Sequence, residues 1–97
     1  MTTYVLLATW TDEGVRKAPE SAKRLDGAKK LLTDMGGDFK SIFLTMGEFD
    51  LVIIYEAPDD VIAARFSIQL GMLGNVRCRT LKAFPEAAYR EIIASLR

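Results

Sequence analysis

Residues 42–57 read IFLTMGEFDLVIIYEA, the pattern of a β-hairpin: a strand ending near Met46, a turn at Gly47-Glu48-Phe49, and a second strand from Asp50 to Ala57. Gly47 suits the turn, because a residue without a Cβ reaches positive φ at no steric cost. The second arm, Leu51-Val52-Ile53-Ile54-Tyr55, is apolar on both parities. Side chains alternate between the two faces of a strand, so five apolar residues in succession need cover on both sides of the sheet. Helices of the same chain can cover one side. A chain of 97 residues has little left for the other, which points to a partner subunit.

Upstream, Tyr4–Thr9 (YVLLAT) forms a second strand of this kind, with Trp10 at its end. Thr11 offers an N-cap oxygen, and Asp12 and Glu13 favour the first turn after it. Pro19 then opens a main helix in which Ala22, Leu25, Ala28, Leu32 and Met35 recur at three- and four-residue spacing, until Gly36-Gly37 ends it. Asp38–Met46 alternates less cleanly. Phe39, Ser41 and Phe43 share one parity and Lys40, Ile42 and Leu44 the other, the look of an edge or interface strand.

Downstream, Ala57-Pro58-Asp59-Asp60 stops the sheet and caps a helix reaching about Leu73. Val61, Ile62, Ala63, Ala64, Phe66, Ile68, Leu70 and Met72 make that helix apolar almost all round, which predicts burial on more than one side. Asn75–Ala83 reads as a strand with one polar face. Pro85 opens a final helix with Ala88, Ile92, Ile93 and Leu96 available to dock.

The order β-α-β-β-α-β plus a C-terminal helix predicts an α+β, ferredoxin-like fold: a four-stranded antiparallel sheet with helices on one face. Its two central strands are the first and third in sequence, and those are the two that are apolar on both faces. One domain spanning residues 1–97 is expected. The uncovered sheet face has an obvious partner in a second copy of the chain.

Composition removes several classes of function. Thirteen basic and thirteen acidic residues cancel, so no net field draws the protein to nucleic acid or an anionic membrane. Hydrophobic residues at 49% and charged residues at 27% place the chain among globular proteins rather than disordered ones. The single Cys78 excludes an internal disulfide, and with no histidine neither a metal site nor a bound cofactor is expected. Thr11-Asp12-Glu13 interrupts any early apolar signal segment, and no apolar run approaches the ~20 residues that span a bilayer. A cytoplasmic location is expected.

Thr9-Trp10-Thr11-x-x-Gly14, Ser21-x-Lys23-Arg24, Gly47-x-x-Asp50, Glu56-Ala57-Pro58-Asp59-Asp60 and Leu73-Gly74-Asn75-Val76-Arg77, continuing to Thr80-Leu81-x-Ala83-Phe84, together resemble the GYD-domain family of the dimeric α/β-barrel group. The resemblance covers Tyr4 to about Ile93. It departs at Phe49, where the signature carries Tyr, and at Ala22, where it carries Pro. It implies a homodimer or higher oligomer with two sheets packed face to face. It implies no particular activity.

Six residues are candidates for binding a small hydrophobic or anionic ligand: Trp10, Lys23, Arg24, Asp50, Arg77 and Arg79. Asp50 could be a carboxylate at the mouth of the sheet, although an Asp after a turn commonly bonds nearby backbone amides, and that reading is preferred. Arg77 and Arg79 leave the last strand from one face. With Lys23 and Arg24 they could form an anion-binding corner; alternatively they lie on a solvated face or pair with acids such as Glu48 or Glu56 at a dimer rim. Trp10, Tyr4, Phe43, Tyr55 and Phe66 could line a pocket between sheet and helices, or be core. Cys78 points away from its flanking arginines, as a buried, inert thiol would. These features favour an oligomeric small-molecule-binding or structural module. The alternative is a cofactor-independent enzyme, resembling the small monooxygenases or isomerases of related barrels, whose cavity would hold Trp10 and a charged residue such as Asp50 or Arg77.

Overall fold

The computed structural model describes residues 1–97. In chain order its elements are β1 (Thr2–Trp10), α1 (Asp12–Arg16), a 3₁₀ turn (Ala18–Glu20), α2 (Ser21–Asp34), β2 (Asp38–Leu44), β3 (Leu51–Ala57), α3 (Asp60–Met72), β4 (Val76–Ala83) and α4 (Glu86–Ala94). The strands form one sheet in the order β2-β3-β1-β4, and every neighbouring pair is antiparallel. This is the ferredoxin-like arrangement the sequence predicts, with β1 and β3 in the middle. The main helix begins at Ser21, after the turn that contains Pro19.

Alternation along the central strands divides the sheet into two faces. Tyr4, Leu6 and Ala8 of β1 and Ile53, Tyr55 and Ala57 of β3 are buried under the helices. There they join Leu32 of α2 and Ala63, Phe66 and Leu70 of α3. Tyr55 is the hub: its ring stacks on Tyr4 at 5.4 Å and meets the edge of Phe66 at 5.1 Å. Burial, and then the Asp60 carboxylate that accepts the Tyr4 hydroxyl, push the Tyr4 phenol up to about 12. The Tyr55 hydroxyl is buried without a hydrogen-bond partner, and the Thr80 hydroxyl donates to Ser67 Oγ at 3.0 Å.

Two sequence expectations change here. β2 ends at Leu44 rather than near Met46, because the ladder closes where Thr45 N–H donates to Asp50 O at 2.8 Å; Gly47 lies at φ 134° in the loop beyond. The parity of β2 also switches. Phe39 pairs with Tyr55 but Ser41 pairs with Ile54, so a bulge inserts Lys40 into the strand. Phe39 and Ile42 therefore pack against the core together, and Phe43 turns to the other face. There it stands 57% exposed, outside any pocket between sheet and helices.

The second sheet face has no cover from the chain. It presents Val5 and Leu7 of β1, Val52 and Ile54 of β3, Phe43 of β2, and Leu81 of β4, which is 52% exposed. The outer side of α3 is also open: Val61, Ile68 and Met72 are 67%, 63% and 77% exposed. Within one chain that helix is buried on one side only, through Ala63, Phe66 and Leu70. Helix α4 buries nothing, so Tyr89, Ile92, Ile93 and Leu96 all remain exposed. The totals agree. The accessible surface is 6663 Å², whereas a compact monomer of 10.8 kDa exposes about 5,500 Å². The radius of gyration is 14.5 Å against about 12.5 Å for a compact domain of this length.

Candidate functional site

The motif residues gather where β1, β3 and β4 meet the α1 turn. Thr11 is the knot. Its Oγ1 accepts the Gly14 N–H at 3.0 Å as the N-cap of α1, and its hydroxyl donates to Gly74 O at 2.6 Å. Its backbone N–H donates to Asn75 O at 3.1 Å, so one residue ties the end of β1 to the turn between α3 and β4. Gly74 lies at φ 83°, the left-handed region in which glycine carries no Cβ penalty. Gly14 packs directly against the Asn75 backbone, where a Cβ would overlap the carbonyl oxygen.

Arg24 closes the other side of this turn. Its guanidinium donates to Lys17 O at 3.0 Å and to Gly14 O at 3.2 Å, a second donor for carbonyls that already accept the backbone N–H groups of Glu20 and Lys17. Trp10, Arg24, Leu25, Cys78, Leu6 and Ala8 help line a cavity of about 70 Å³ between sheet and helices. That is room for a few waters and well below the several hundred Å³ of a drug-sized ligand site. Cys78 pairs with Ala8 on the helix side of β4, and burial pushes its thiol up, with Ser67 opposing. The helix side is the face that the alternation along β4 implies.

Asp50 has a defined task. Its carboxylate accepts the Trp10 N–H at 2.9 Å, while its own N–H donates to Ala8 O at 2.9 Å. The pairing of β1 with β3 ends at Ala8 and Leu51, two residues short of Trp10, and the side chain replaces the missing strand. The amide it serves lies far away in sequence, on a neighbouring strand, rather than within its own turn. Replacing Asp50 by Ala leaves that N–H without its charged acceptor. The expected loss is about 1–3 kcal/mol in urea unfolding, with Asp50→Asn intermediate; equal stability of the Ala variant would show that water serves the amide equally well.

The structure does not bring the four candidate cations together. Arg24 faces the helix layer and Lys23 is exposed on α2. Arg77 and Arg79 lie opposite Thr9 and Leu7, on the uncovered face, exposed and without a carboxylate in salt-bridge range. The sheet itself separates the two pairs, so no shared anion corner forms. At the diagonally opposite corner of the uncovered face Lys40 bridges Asp38 at 2.7 Å and Glu56 at 3.6 Å. Sequence reasoning does not assemble that cluster, because Glu56 joins Asp38 and Lys40 only through the register of β2 on β3, which local pattern does not give.

No helix is long and apolar enough to cross a membrane. In comparison with known proteins, the family model for the GYD domain matches residues 4–93. The chain is also 33% identical, over an alignment that covers all of both chains, to a Thermus thermophilus protein named glutamine synthetase and cystathionine beta-lyase binding protein. The motif residues of the α1 knot fall inside the matched segment, as does almost all of the fold. The chain belongs to the GYD-domain family.

Proposed function

We propose that this protein is a self-associating binding module whose sheet face is covered by a second copy and whose outer surface receives protein partners. The observation that carries the reading is the uncovered apolar sheet face, together with about 1,100 Å² of surface beyond that of a compact monomer. Specific interfaces bury about 800 Å² on each partner, so one such interface accounts for most of the excess. The name of the Thermus relative supports the second half, because it describes a protein that binds enzymes. The outer side of α3 and the apolar stripe of α4 are the surfaces that remain for such a partner once the sheet is covered. A ligand-binding role for the small cavity is the weaker reading on volume alone.

Native mass spectrometry tests the first half directly: a dimer, or a multiple of it, is expected at micromolar concentration, and a monomer would overturn the reading. Size-exclusion chromatography with purified glutamine synthetase, and separately with cystathionine β-lyase, tests the second. Co-elution with at least one at defined stoichiometry is the expected result. Co-elution with neither would remove protein binding to these enzymes from the proposal.

A further inference from the structure

The uncovered face carries a charge pattern that fixes how two copies meet. We infer that two copies pair about a two-fold axis lying along one diagonal of the sheet face, so that the basic corner of each, Arg77 and Arg79, sits on the acidic corner of the other, Asp38 and Glu56. The inference rests on the self-association proposed above and adds its geometry.

The strand registers place every residue of the face on a grid. Thr3, Ala83, Glu56 and Asp38 form one row; Val5, Leu81, Ile54 and Ser41 the next; then Leu7, Arg79, Val52 and Phe43; and finally Thr9 with Arg77. Strands lie about 4.8 Å apart and successive rows of one face about 6.6 Å apart. The basic pair therefore occupies the β4 edge at one end, and the acidic pair occupies the β2–β3 edge at the other. The two arginines make no ion pair. The two carboxylates share a single lysine, Lys40, so the acidic corner keeps one net negative charge.

Two sheets meeting face to face are related by an axis in the plane between them, and four simple placements exist. An axis along the strands puts Arg79 on the partner's Phe43. An axis across the strands puts Arg77 on the partner's Ala83 and leaves both arginines without acids. One diagonal places Arg77 on the partner's Arg77, a like-charge contact. The other diagonal sets Arg77 within about 4 Å, in projection, of the partner's Asp38, and Arg79 equally near the partner's Glu56. It also lays Leu7 over the partner's Ile54 and places Val5 and Val52 each against its own copy near the axis. Apolar residues meet at the centre and opposite charges meet at two rims. The strands of the two sheets then cross near a right angle, one of the two standard sheet packings.

The test is a charge swap on the full chain. One variant carries Arg77→Glu and Arg79→Glu, the other Asp38→Lys and Glu56→Lys. Each alone is expected to dimerise at least about tenfold more weakly than wild type, since like charges now face each other at both rims. An equimolar mixture is expected to form a heterodimer of wild-type strength, resolved by mass in native mass spectrometry, because both rims are then complementary. Wild-type-like homodimers of both variants, or no preference for the heterodimer, would overturn the diagonal pairing while leaving self-association standing. A monomeric wild type would overturn both. Far-UV circular dichroism checks folding, and the single exchanges Arg79→Glu and Glu56→Lys carry the same test if a double variant does not fold.

Discussion

Replacing Gly14 by Ala is expected to lower folding stability by about 3 kcal/mol or more, or to prevent folding, although Ala is the better helix former. Intrinsic propensity alone favours Ala by about 1 kcal/mol inside a helix, so the predicted sign is the reverse of the local rule. The reason is steric. A Cβ on Gly14 would overlap the Asn75 carbonyl oxygen and lie 2.8 Å from its carbon, and these are backbone atoms that cannot rotate away. Relief requires pulling α1 off the α3–β4 turn. That movement would break the Thr11 bonds to Gly74 O and Asn75 O and disturb the Arg24 contacts with Gly14 O and Lys17 O. Overpacking usually costs about 1–3 kcal/mol, and it costs more where the neighbours cannot give. Gly27 supplies the control. It lies inside α2, and a Cβ added there would meet nothing within 4 Å, so Gly27→Ala is expected to be stabilising by about 0.5–1 kcal/mol. Urea unfolding of both variants beside wild type decides the matter. A Gly14→Ala protein as stable as wild type would mean that the knot between β1 and β4 is loose.

The same contrast shows what a single sequence can and cannot disclose. β1 and β3 are legible because apolar residues on both parities have one physical explanation, a central strand covered on two sides. The order of elements then leaves few topologies. Alternation along β4, which has no irregularity, puts the Cys78 thiol on the correct face. Alternation fails in β2, where the bulge at Lys40 moves Phe43 away from the helices, whereas the corner of Asp38, Lys40 and Glu56 depends on the pairing of β2 with β3. A bulge leaves no periodic signature, so local pattern does not find it. The sequence marks Asp50 as a backbone-bonding residue, but its partner, the Trp10 amide, becomes visible only when β3 is paired with β1. Charge alone groups Arg24 with Arg77 and Arg79. Charge does not say which side of a sheet a residue occupies, and the helix that carries Arg24 lies on the other side. The apolar circumference of α3 predicts more than one buried face, and one chain supplies only the first.

The largest effect on self-association is expected from Ile54→Lys, which should weaken the dimer at least about a thousandfold while leaving the subunit folded. Ile54 lies on the second row of the uncovered face, between Val5 and Ser41, and is half-buried within its own chain. In the separated subunit a lysine there can lay its alkyl stem along the sheet and keep its ammonium in water, so the fold survives. In the pair it has no such exit: the diagonal two-fold sets it over the partner's Leu7, and symmetry buries a second lysine at the same time. Breaking a pairing by burying an uncompensated charge costs about 3 kcal/mol or more per site. Val61→Lys provides the discriminating comparison, because Val61 is 67% exposed on the outer side of α3, away from the sheet face. Sedimentation velocity across a concentration series is expected to show Ile54→Lys monomeric and Val61→Lys dimeric. The opposite result would assign self-association to the helix layer, and the apolar sheet face would then be the surface that awaits a different protein.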